Sequence, residues 1–364
     1  MSFFGVCIEK IDDVWAHPNA DKLELAKLVN IDYQFVIAKG SFKKDDLVLY
    51  FPEDAVLPDP LLAKLGLTGK LGGAKKNRVK AIRLRGQYSQ GVVGSLSILH
   101  DLGYESPANG NLATGEKVNW ADTLGVEKYD PEVHTPGIPN ASRVIQNPLP
   151  RGVRVYDLEN AERYAKIVGG LIEKRVPVIV TEKLEGSHAI LHLNEFGELK
   201  FCSRRTTLIE AETFWHKGMT NSKIYESLKK LREITPVNFT KITIRGELIG
   251  PGVQGNIYGL PDLQVRVFDV ELDDNPIHAH SLHNSLVESG VFTVDQLAPV
   301  LFRGTLDEYL GDKTLREVSD GKSVLGDTNR EGIVIKPVSE LFERGLGRVI
   351  LKQRSPLYLS ESNL

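Results

Sequence analysis

The amino-acid sequence predicts an α+β protein whose first part is rich in β-strands and whose second part mixes strands with helices. In the first part, short runs of β-branched and aromatic residues follow one another closely, separated by turn-forming segments such as HPNADK and KGSFKKDD. In the second part, apolar runs of strand length alternate with stretches of helical spacing. Closely spaced short strands predict a small barrel or sandwich for the first part.

The elements follow from this patterning. The strands predicted in the first part are Gly5–Ala16, Leu23–Ile31, Tyr33–Gly40, Asp46–Pro52, Val79–Gly86 and Gly91–Ile98, the last two separated by a turn at Gln87–Gln90. Those predicted in the second part are Val176–Lys183, Glu198–Arg204, Lys241–Gly250, Gln264–Leu272, Arg330–Pro337 and Arg348–Ser355. Helical spacing marks Asp157–Lys174, Ala211–Ile234 and Ser281–Gly290, and in the first of these one face carries Leu158, Ala161, Tyr164, Ile167 and Val168.

A segment rich in proline and polar residues, Asp130–Pro150, separates the two parts. Its prolines disfavour both a helix and a central strand, so it is predicted to be an interdomain connector. The predicted organisation is therefore a domain of residues 1–129, a linker of 130–150 and a domain of 151–364, which suits a chain of 364 residues.

Composition indicates an ordinary soluble globular protein, with 41% apolar and 26% charged residues. No segment has the uncharged apolar length of a membrane span, and the start MSFFGVCIEKIDD lacks the regions of a cleaved signal peptide. Cys7 and Cys202 are too few and too far apart for a disulfide framework or a zinc cage. We expect a reducing intracellular compartment, either cytoplasmic or nuclear.

A basic run between Lys70 and Arg85 contains no acidic residue. The net charge of −3 does not by itself indicate a nucleic-acid binder, but phosphate binding depends on local cation density. A solvated charged face is the ordinary interpretation of such a run. Because cations without a counter-charge repel one another, we favour an external polyanion as partner of Lys70, Lys75, Lys76, Arg78, Lys80, Arg83 and Arg85.

In the segment VIVTEKLEGS, Lys183 lies at the end of an apolar run predicted to be a strand, and Glu185 and Gly186 follow it. A strand end fixes the amine, and the glycine lets the backbone turn close to a ligand. A lysine in such a place can act as a nucleophile once it has lost its proton. The K-x-E-G pattern alone is short, and a surface Lys–Glu pair at a strand end is the commoner explanation of it.

Further charged and aromatic residues lie on the later strands. Glu247 and Glu331 each stand beside a glycine at the edge of an apolar run, where oxygen ligands can bind Mg²⁺ or Mn²⁺. Phe268 lies on a strand and can stack on a purine, although a core position is the simpler reading of this residue alone. Lys352 and Arg354 share one face of a strand, where paired cations can neutralise a triphosphate.

Taken in order, these segments resemble the covalent nucleotidyltransferase superfamily of ATP-dependent ligases and mRNA-capping enzymes. The resemblance extends from about Val144 to the C-terminus. It rests on motifs I, Ia, III, IIIa, IV and V, matched by KLEG at 183–186, SRR at 203–205, RGELIG at 245–250, VFDVEL at 267–272, EGIVIK at 331–336 and LKQRS at 351–355.

The resemblance implies a three-step reaction, in which a lysine takes AMP from ATP, AMP passes to a 5′-phosphate and a 3′-hydroxyl then displaces it. It implies that Lys183 is the nucleophile. Glu185 is assigned to the ribose, Arg204 to phosphate or the substrate end, Phe268 to adenine, Lys352 and Arg354 to phosphates, and Lys336 to the α-phosphate. The ATP-binding set is Glu182, Glu185, Arg204, Glu247, Phe268, Lys336, Lys352 and Arg354, and the metal ligands are Glu247 and Glu331.

Two features depart from the family pattern. Many polynucleotide ligases carry an arginine two residues after the motif I glycine, where this chain has Ser187-His188. The residue that contacts the 3′-end is therefore not assigned, and His188 is equally explained as a packing residue. The sequence ends nine residues after Ser355, without a downstream OB domain or motif VI. Because DNA ligases and capping enzymes use that domain, both identities are less favoured.

The N-terminal segments 17–28 and 82–93 look like parts of the OB-fold of tRNA-binding domains. An OB-fold β-barrel followed by a nucleotidyltransferase domain built on antiparallel sheets is similar to the nick-sealing RNA ligases of the Naegleria and Deinococcus type. This resemblance implies sealing of 3′-OH/5′-phosphate breaks in duplexes whose 3′-OH strand is RNA. It places RNA on the basic run at Lys75, Lys76, Arg78, Lys80, Arg83 and Arg85. Tyr88 could stack on a base or serve only as a structural tyrosine in a turn.

The favoured interpretation is thus an ATP-dependent RNA ligase that acts as a monomer on nicked RNA with Mg²⁺ or Mn²⁺ and without a membrane. An mRNA guanylyltransferase shares the lysine chemistry and is the alternative enzyme. A non-catalytic OB-fold RNA-binding protein is the alternative from another class, but it leaves the ordered motifs between Lys183 and Arg354 unexplained.

Overall fold

The computed structural model describes residues 4–105, 118–129, 148–156, 158–208, 213–236, 239–343 and 346–361. They form two compact units. The N-terminal unit consists of residues up to 129 together with 162–166, and the C-terminal unit consists of 148–161 and the residues from 167 onward. Most of the predicted linker, residues 130–147, lies outside the described residues.

The N-terminal unit is built on a five-stranded antiparallel sheet of order β3-β2-β1-β4-β8. The long strand β1 pairs with β4 through its first half and with β2 through its second half, and its register shifts between Ile11 and Asp13. Such a bulge lets a strand bend, so the sheet curls around a core that contains Ile11, Phe35 and Tyr50. The elements are β1 Cys7–Ala16, β2 Leu23–Leu28, β3 Ile31–Ala38, β4 Leu47–Phe51, β5 Ala55–Val56, α1 Asp59–Lys64, β6 Ile82–Leu84, β7 Gln87–Ser89, β8 Val92–Ser95, α2 Ser97–His100 and β9 Glu127–Lys128.

Two sequence predictions for this unit are wrong in detail. The turn expected at Gln87–Gln90 is largely a strand, β7, and the chain reverses at Arg85 and Gly86, whose φ angles are 44° and 88°. Two successive residues with positive φ make the tight hairpin turn that matches the twist of paired strands. The strand expected over Gly91–Ile98 ends at Ser95, and a short helix, α2, follows.

The C-terminal unit contains two five-stranded sheets, of orders β10-β21-β18-β11-β17 and β13-β12-β14-β15-β16. All neighbours are antiparallel except β10 and β21. The strands are β10 Glu159–Asn160, β11 Pro177–Lys183, β12 Ser187–Leu193, β13 Leu199–Cys202, β14 Ile242–Ile249, β15 Gln264–Leu272, β16 Asn275–Pro276, β17 Val300–Thr305, β18 Gly332–Pro337, β19 Phe342–Glu343, β20 Gly347–Arg348 and β21 Leu351–Arg354. The α-helices are α3 Ala165–Glu173, α4 Phe214–Asn221, α5 Ile224–Ile234, α6 Leu286–Glu288, α7 Leu306–Leu310, α8 Leu315–Ser319 and α9 Pro356–Glu361.

Shorter helical turns complete the C-terminal part of the chain. They are a π-helix at Ser281–Ser285 and 3₁₀ turns at Ala161–Tyr164, Gln254–Asn256 and Val294–Gln296. Helices α4 and α5 cover one face of the second sheet. Met219, Ile224 and Leu228 from the helices share a buried core with Ile244 and Val265 from the strands. Full burial of each such side chain stabilises the fold by roughly 1.5–3 kcal/mol.

The helix predicted over Asp157–Lys174 is wrong in its first half. Glu159 and Asn160 form β10, which pairs in parallel with β21, and the α-helix begins only at Ala165. Backbone pairing with β21 outweighs the helical spacing of the side chains. The helix predicted over Ala211–Ile234 is two helices, because Lys223 adopts a left-handed φ of 55° between them. The strands β12 and β17 were not predicted.

Candidate active site

Lys183 is the last residue of β11, and its amine contacts the carboxylate of Glu331, the residue that immediately precedes β18. Its Nζ lies 2.5 Å from Oε2 of Glu331, and the lysine side chain is 20% exposed. Two glycines allow this close approach of backbones. A Cβ on Gly186 would overlap the carbonyl oxygen of Leu248, and one on Gly332 would overlap that of Gln353. The strand therefore presents a partly exposed amine at the edge of a tightly packed sheet.

Strand register places the predicted cations on the face of the sheet that bears Lys183. Gly332 pairs with both Lys183 and Arg354, and the same alternation puts Lys352 and Lys336 on this face. Arg354 reaches Glu331 at 3.7 Å between Nε and Oε1. The structure thus places Lys183, Lys352 and Arg354 on one face of the sheet, with Glu331 in contact with Lys183 and Arg354.

Three carboxylates surround the amine, and burial disfavours their charges. Burial raises the pKa of Glu247 to about 8, and the negative charges of Glu331 and Glu185 raise it further. The positive charges of Lys183 and Arg204 act in the opposite direction. Burial also raises the pKa of Glu185, whose Oε2 accepts a 2.6 Å hydrogen bond from the hydroxyl of Tyr358. Such a carboxylate cluster favours an additional cation.

The donor set fits a hard divalent ion. In the described part of the chain no three His, Cys, Asp or Glu side chains form a metal-binding group by themselves. Glu247 and Glu331 supply oxygen only, which suits Mg²⁺ or Mn²⁺, and such ions usually complete their shell with water and substrate phosphates. The observation that supports a bound cation is the carboxylate cluster itself, in which the charges of Glu331 and Glu185 both act on Glu247.

Phe268 is the extra residue of a bulge in β15. Arg245 pairs with Asp269 and Gly246 with Val267, which leaves Phe268 without a partner in the register. Its ring is half-buried and lies 5.3 Å from each of the rings of Tyr156 and His188. The bulge thus turns an aromatic face out of an otherwise buried strand.

Two polar atoms beside this aromatic group are buried without a hydrogen-bond partner among the described residues. They are Nε2 of His188 and Nη1 of Arg245. Arg245 is fully buried, and its Nε donates a hydrogen bond to Oε1 of Glu271 at 3.1 Å. Its guanidinium carbon lies 5.4 Å from the centre of the Tyr156 ring. Burial, with a contribution from Arg245, lowers the pKa of His188 to about 3, so this imidazole is neutral. Unpaired buried polar atoms beside an aromatic ring are suited to a polar planar ligand.

Asp269 anchors a buried ionic network behind Phe268. Lys336 donates to the carbonyl oxygen of Phe268 at 2.9 Å and to Asp269 at 3.1 Å, and Arg348 bridges Asp269 and Glu340. Burial alone would raise the pKa of Asp269, but Lys336 and Arg348 hold it below its usual range. Lys336 therefore supports Phe268, a contact that the predicted phosphate role did not include.

Glu182 points away from Lys183, because neighbouring residues of a strand face opposite sides. Its carboxylate accepts hydrogen bonds from the hydroxyl of Ser323 at 2.6 Å and from the backbone N–H of Val324 at 2.8 Å. This side chain fixes a loop, and the predicted ATP contact is not visible in its geometry.

The predicted RNA-binding residues belong to the N-terminal unit, and one expectation about them is wrong. Arg78 has a counter-charge after all, because it donates to Asp54 at 2.6 Å. Lys75 and Lys76 are exposed, as are Arg83 and Arg85 of the β6–β7 hairpin, whereas Lys80 is half-buried. The guanidinium of Arg83 lies 4.6 Å from the centre of the Tyr88 ring, and Tyr88 lies in β7 rather than in a turn.

Comparison with known proteins finds a matching family model for each of the two parts of the chain. Residues 176–354 match the family model described as RNA ligase. Residues 5–96 match a model described as an OB-fold domain, which confirms the predicted N-terminal OB-fold. None of the curated proteins matches the chain.

Several solved structures resemble this chain over its length. The Naegleria gruberi RNA ligase with PPi is 23% identical, with 98% of each chain covered and a TM-score of 0.76. Variants of that enzyme solved with ATP and Mn, and with AMP and Mn, are 23% and 22% identical with TM-scores of 0.73 and 0.75, again over 98% of each chain. At this identity the likeness shows a shared fold, and it confirms the predicted architecture.

Sequence reasoning did not single out several residues of the C-terminal unit, namely Tyr156, Arg245, Asp269, Arg348 and Tyr358. A usable signal existed for two of them, since Arg245 and Asp269 are charges inside strongly apolar strands. Tyr156 and Arg348 come from segments whose contacts depend on tertiary structure. No helix in the described ranges has the length and apolar character needed to cross a membrane.

Proposed function

We propose that the chain is an ATP-dependent RNA ligase that joins 3′-hydroxyl and 5′-phosphate ends through AMP covalently bound to Lys183. The observation that carries the proposal is the setting of this amine, which is partly exposed at a strand end between a carboxylate, Glu331, and a cation, Arg354. The match of residues 176–354 to the RNA ligase family model supports the reaction class.

In the first step, Nζ of Lys183 loses its proton and attacks the α-phosphorus of ATP. The P–N bond forms, the bond to the bridging oxygen breaks and pyrophosphate leaves. Glu331 holds the amine at 2.5 Å and can take up its proton. Lys352 and Arg354 lie on the same face and would neutralise the pyrophosphate.

In the second step, an oxygen of the 5′-phosphate attacks the lysyl-bound AMP, and the P–N bond returns its electrons to Lys183. In the third step, the 3′-hydroxyl attacks the phosphorus of the activated 5′-end, and AMP leaves. Glu247 and Glu331 would hold the divalent ion, which when bound supplies positive charge to the phosphates. The remaining steps depend on how the protein residues orient the two ends.

The nucleoside would lie against Phe268, beside the neutral His188 and the buried guanidinium of Arg245. A base gains stacking energy on the aromatic face, and the unpaired polar atoms offer hydrogen bonds. We assign ATP because solved Naegleria gruberi RNA ligase structures of the same fold contain ATP or AMP.

The N-terminal OB-fold unit would bind the RNA, with the basic run as its contact surface. Lys75, Lys76, Arg83 and Arg85 are exposed there. A nick in a duplex with an RNA 3′-hydroxyl strand is the proposed substrate, and the proposed active form is a monomer.

A panel of nicked duplexes tests this function. RNA or DNA is placed on each side of the break, and the full chain is supplied with ATP or GTP and Mn²⁺ or Mg²⁺. We expect sealing with ATP when the 3′-hydroxyl strand is RNA, no sealing by Lys183→Ala, and normal sealing by the exposed control Lys174→Ala. Transfer of GMP from GTP to RNA 5′-diphosphate ends, without sealing, would favour a guanylyltransferase instead.

A further inference from the structure

A cavity of about 350 Å³ lies in the N-terminal unit, and its lining residues are not part of the five-stranded sheet. Its apolar portion is formed by Val56, Leu57 and Pro58, of which Leu57 is fully buried. Its cationic portion is formed by Lys75, Arg78 and Lys80. This volume lies within the usual range for sites that bind small organic groups.

The walls of the cavity are fixed by backbone hydrogen bonds. The N–H of Leu57 donates to the carbonyl of Asn77 at 2.9 Å, so the apolar and cationic portions are joined directly. Gly72 and Arg78 exchange two backbone bonds, of 2.9 and 3.1 Å, which close the loop that carries Lys75. The cavity is therefore formed before any ligand binds, which reduces the entropy lost on binding.

Arg78 is held in a fixed orientation at this site. Its guanidinium lies 3.5 Å from the centre of the Tyr129 ring, and its Nε and Nη2 donate to Oδ1 of Asp54 at 3.0 and 2.6 Å. Tyr129 also lines the cavity. A planar guanidinium stacked on an aromatic ring provides a flat, positively charged wall.

The lining has the chemistry of a nucleotide site. Apolar side chains and a flat wall suit a base and its ribose, and the cations suit a phosphate. Asp54 and Glu127 offset part of the positive charge, which favours a single phosphate over a polyphosphate. A uniformly basic surface would lack the apolar portion.

We propose that this cavity binds one nucleotide of an RNA strand, with the base and ribose against Val56, Pro58 and Tyr129 and the phosphate at Lys75 and Lys80. The identity of the ligand as RNA rests on the proposed ligase function. The cavity would thereby hold the substrate at a point outside the OB sheet.

The test measures RNA binding by the full chain. The readout is the fluorescence anisotropy of a short labelled single-stranded RNA. Ala74 is exposed and lines the cavity, so Ala74→Trp fills it without changing charge. We expect Ala74→Trp to weaken binding about tenfold with an unchanged salt slope, because only stacking and contacts are lost. Lys75→Ala with Lys80→Ala should weaken binding about tenfold and lower the slope of log affinity against log salt by about 1.4.

Lys39→Ala is the matched control, since this exposed cation of the same unit is absent from the cavity lining. It should change affinity less than about twofold. RNA binding by Ala74→Trp equal to that of the unchanged protein would overturn the proposal, and the double lysine variant retaining full affinity would do the same. Thermal unfolding checks that each variant is folded.

Two further readouts separate the possible outcomes. Labelling by ATP at Lys183 is measured in every variant. A variant that loses RNA binding but keeps this labelling is defective in the cavity, whereas loss of labelling in the unchanged protein contradicts the ligase function itself. Unlabelled AMP and UMP are added as competitors of the RNA. Displacement of RNA by both supports a nucleotide site, whereas a mononucleotide that binds in the cavity without affecting RNA binding contradicts the assignment to RNA.

Discussion

The amine of Lys183 and the carboxylate of Glu331 lie 2.5 Å apart, although 148 residues separate them in the chain. Register explains the contact, because Lys183 pairs with Gly332 at the end of β18. The carboxylate is also close to Arg354. The proposed nucleophile, a proposed metal ligand and a proposed phosphate-binding cation are therefore assembled by the pairing of three adjacent strands.

Substitution of Glu247 should change how stability depends on pH. Burial raises the pKa of Glu247 in the folded protein to about 8 from its ordinary value of 4.5, so the folded state holds this proton more tightly than the unfolded state does. Its contribution to stability is full below pH 4.5 and declines as pH rises towards 8. Glu247→Gln should remove this decline, leaving the variant more stable above pH 8 by up to about 5 kcal/mol.

Urea unfolding at several pH values measures this difference. Mn²⁺ should raise the melting temperature of the unchanged protein at pH 7 and do so less for Glu247→Gln, because the ion stabilises the charged carboxylate. Parallel pH profiles of the two proteins would contradict the assignment of the raised pKa to Glu247.

Loss of the Asp269 charge should destabilise the C-terminal unit. Asp269→Asn leaves Lys336 and Arg348 buried beside a neutral group, and removal of one partner of a buried ion pair costs about 3–5 kcal/mol. Urea denaturation measures the loss. The exposed pair of Lys322 and Asp327 gives the control, since Asp327→Asn should change stability little. Equal effects of the two substitutions would argue against a supporting network behind Phe268.

Phe268 should determine the affinity for ATP more than the chemical step. Phe268→Ala removes the stacking surface, which is worth about 1–3 kcal/mol per base, so the KM for ATP in self-adenylylation should rise roughly 5- to 150-fold. Phe268→Tyr should retain most of the affinity. Phe342, exposed on β19, supplies the control Phe342→Ala. An unchanged KM for Phe268→Ala would place the base elsewhere.

Removal of the N-terminal unit should leave self-adenylylation intact but impair the sealing of nicked duplexes. A chain that begins near residue 130 should still become labelled by ATP, because the residues around Lys183 all belong to the C-terminal unit. Its sealing of nicked duplexes should fall strongly, since the exposed cations Lys75 and Arg83 are lost. The two assays are run on the same preparation, and undiminished sealing by the shortened chain would exclude an RNA-positioning role for the unit.

The residues of the site that could be predicted are those on strongly patterned strands. Lys183, Glu247 and Phe268 each stand in an apolar run whose strand structure follows from its period of two, so their elements were predicted. The order of the motifs then indicated which residues belong to one site. The contact between Lys183 and Glu331 was not itself predicted, and the roles assigned to both residues stay predictions.

What could not be predicted depends on contacts between distant segments. Glu159 lies in a segment with helical spacing, but in the structure it pairs with β21. Glu182 fixes a loop by accepting a hydrogen bond from Ser323, a contact that the local sequence does not indicate. Arg348 was missed because its contacts with Asp269 and Glu340 join distant segments and leave no periodic signal in its own strand. The tight turn at Arg85 was missed because positive φ at a non-glycine residue is uncommon.

The most direct test is to locate AMP on the chain. The full protein is incubated with ATP and Mn²⁺, digested, and its peptides are examined by mass spectrometry under conditions that preserve P–N bonds. We predict an AMP adduct on Lys183, absent from Lys183→Arg and unaffected by Lys174→Ala. An adduct that persists on Lys183→Arg at another residue would contradict the assignment of the nucleophile, as would sealing activity without any adduct.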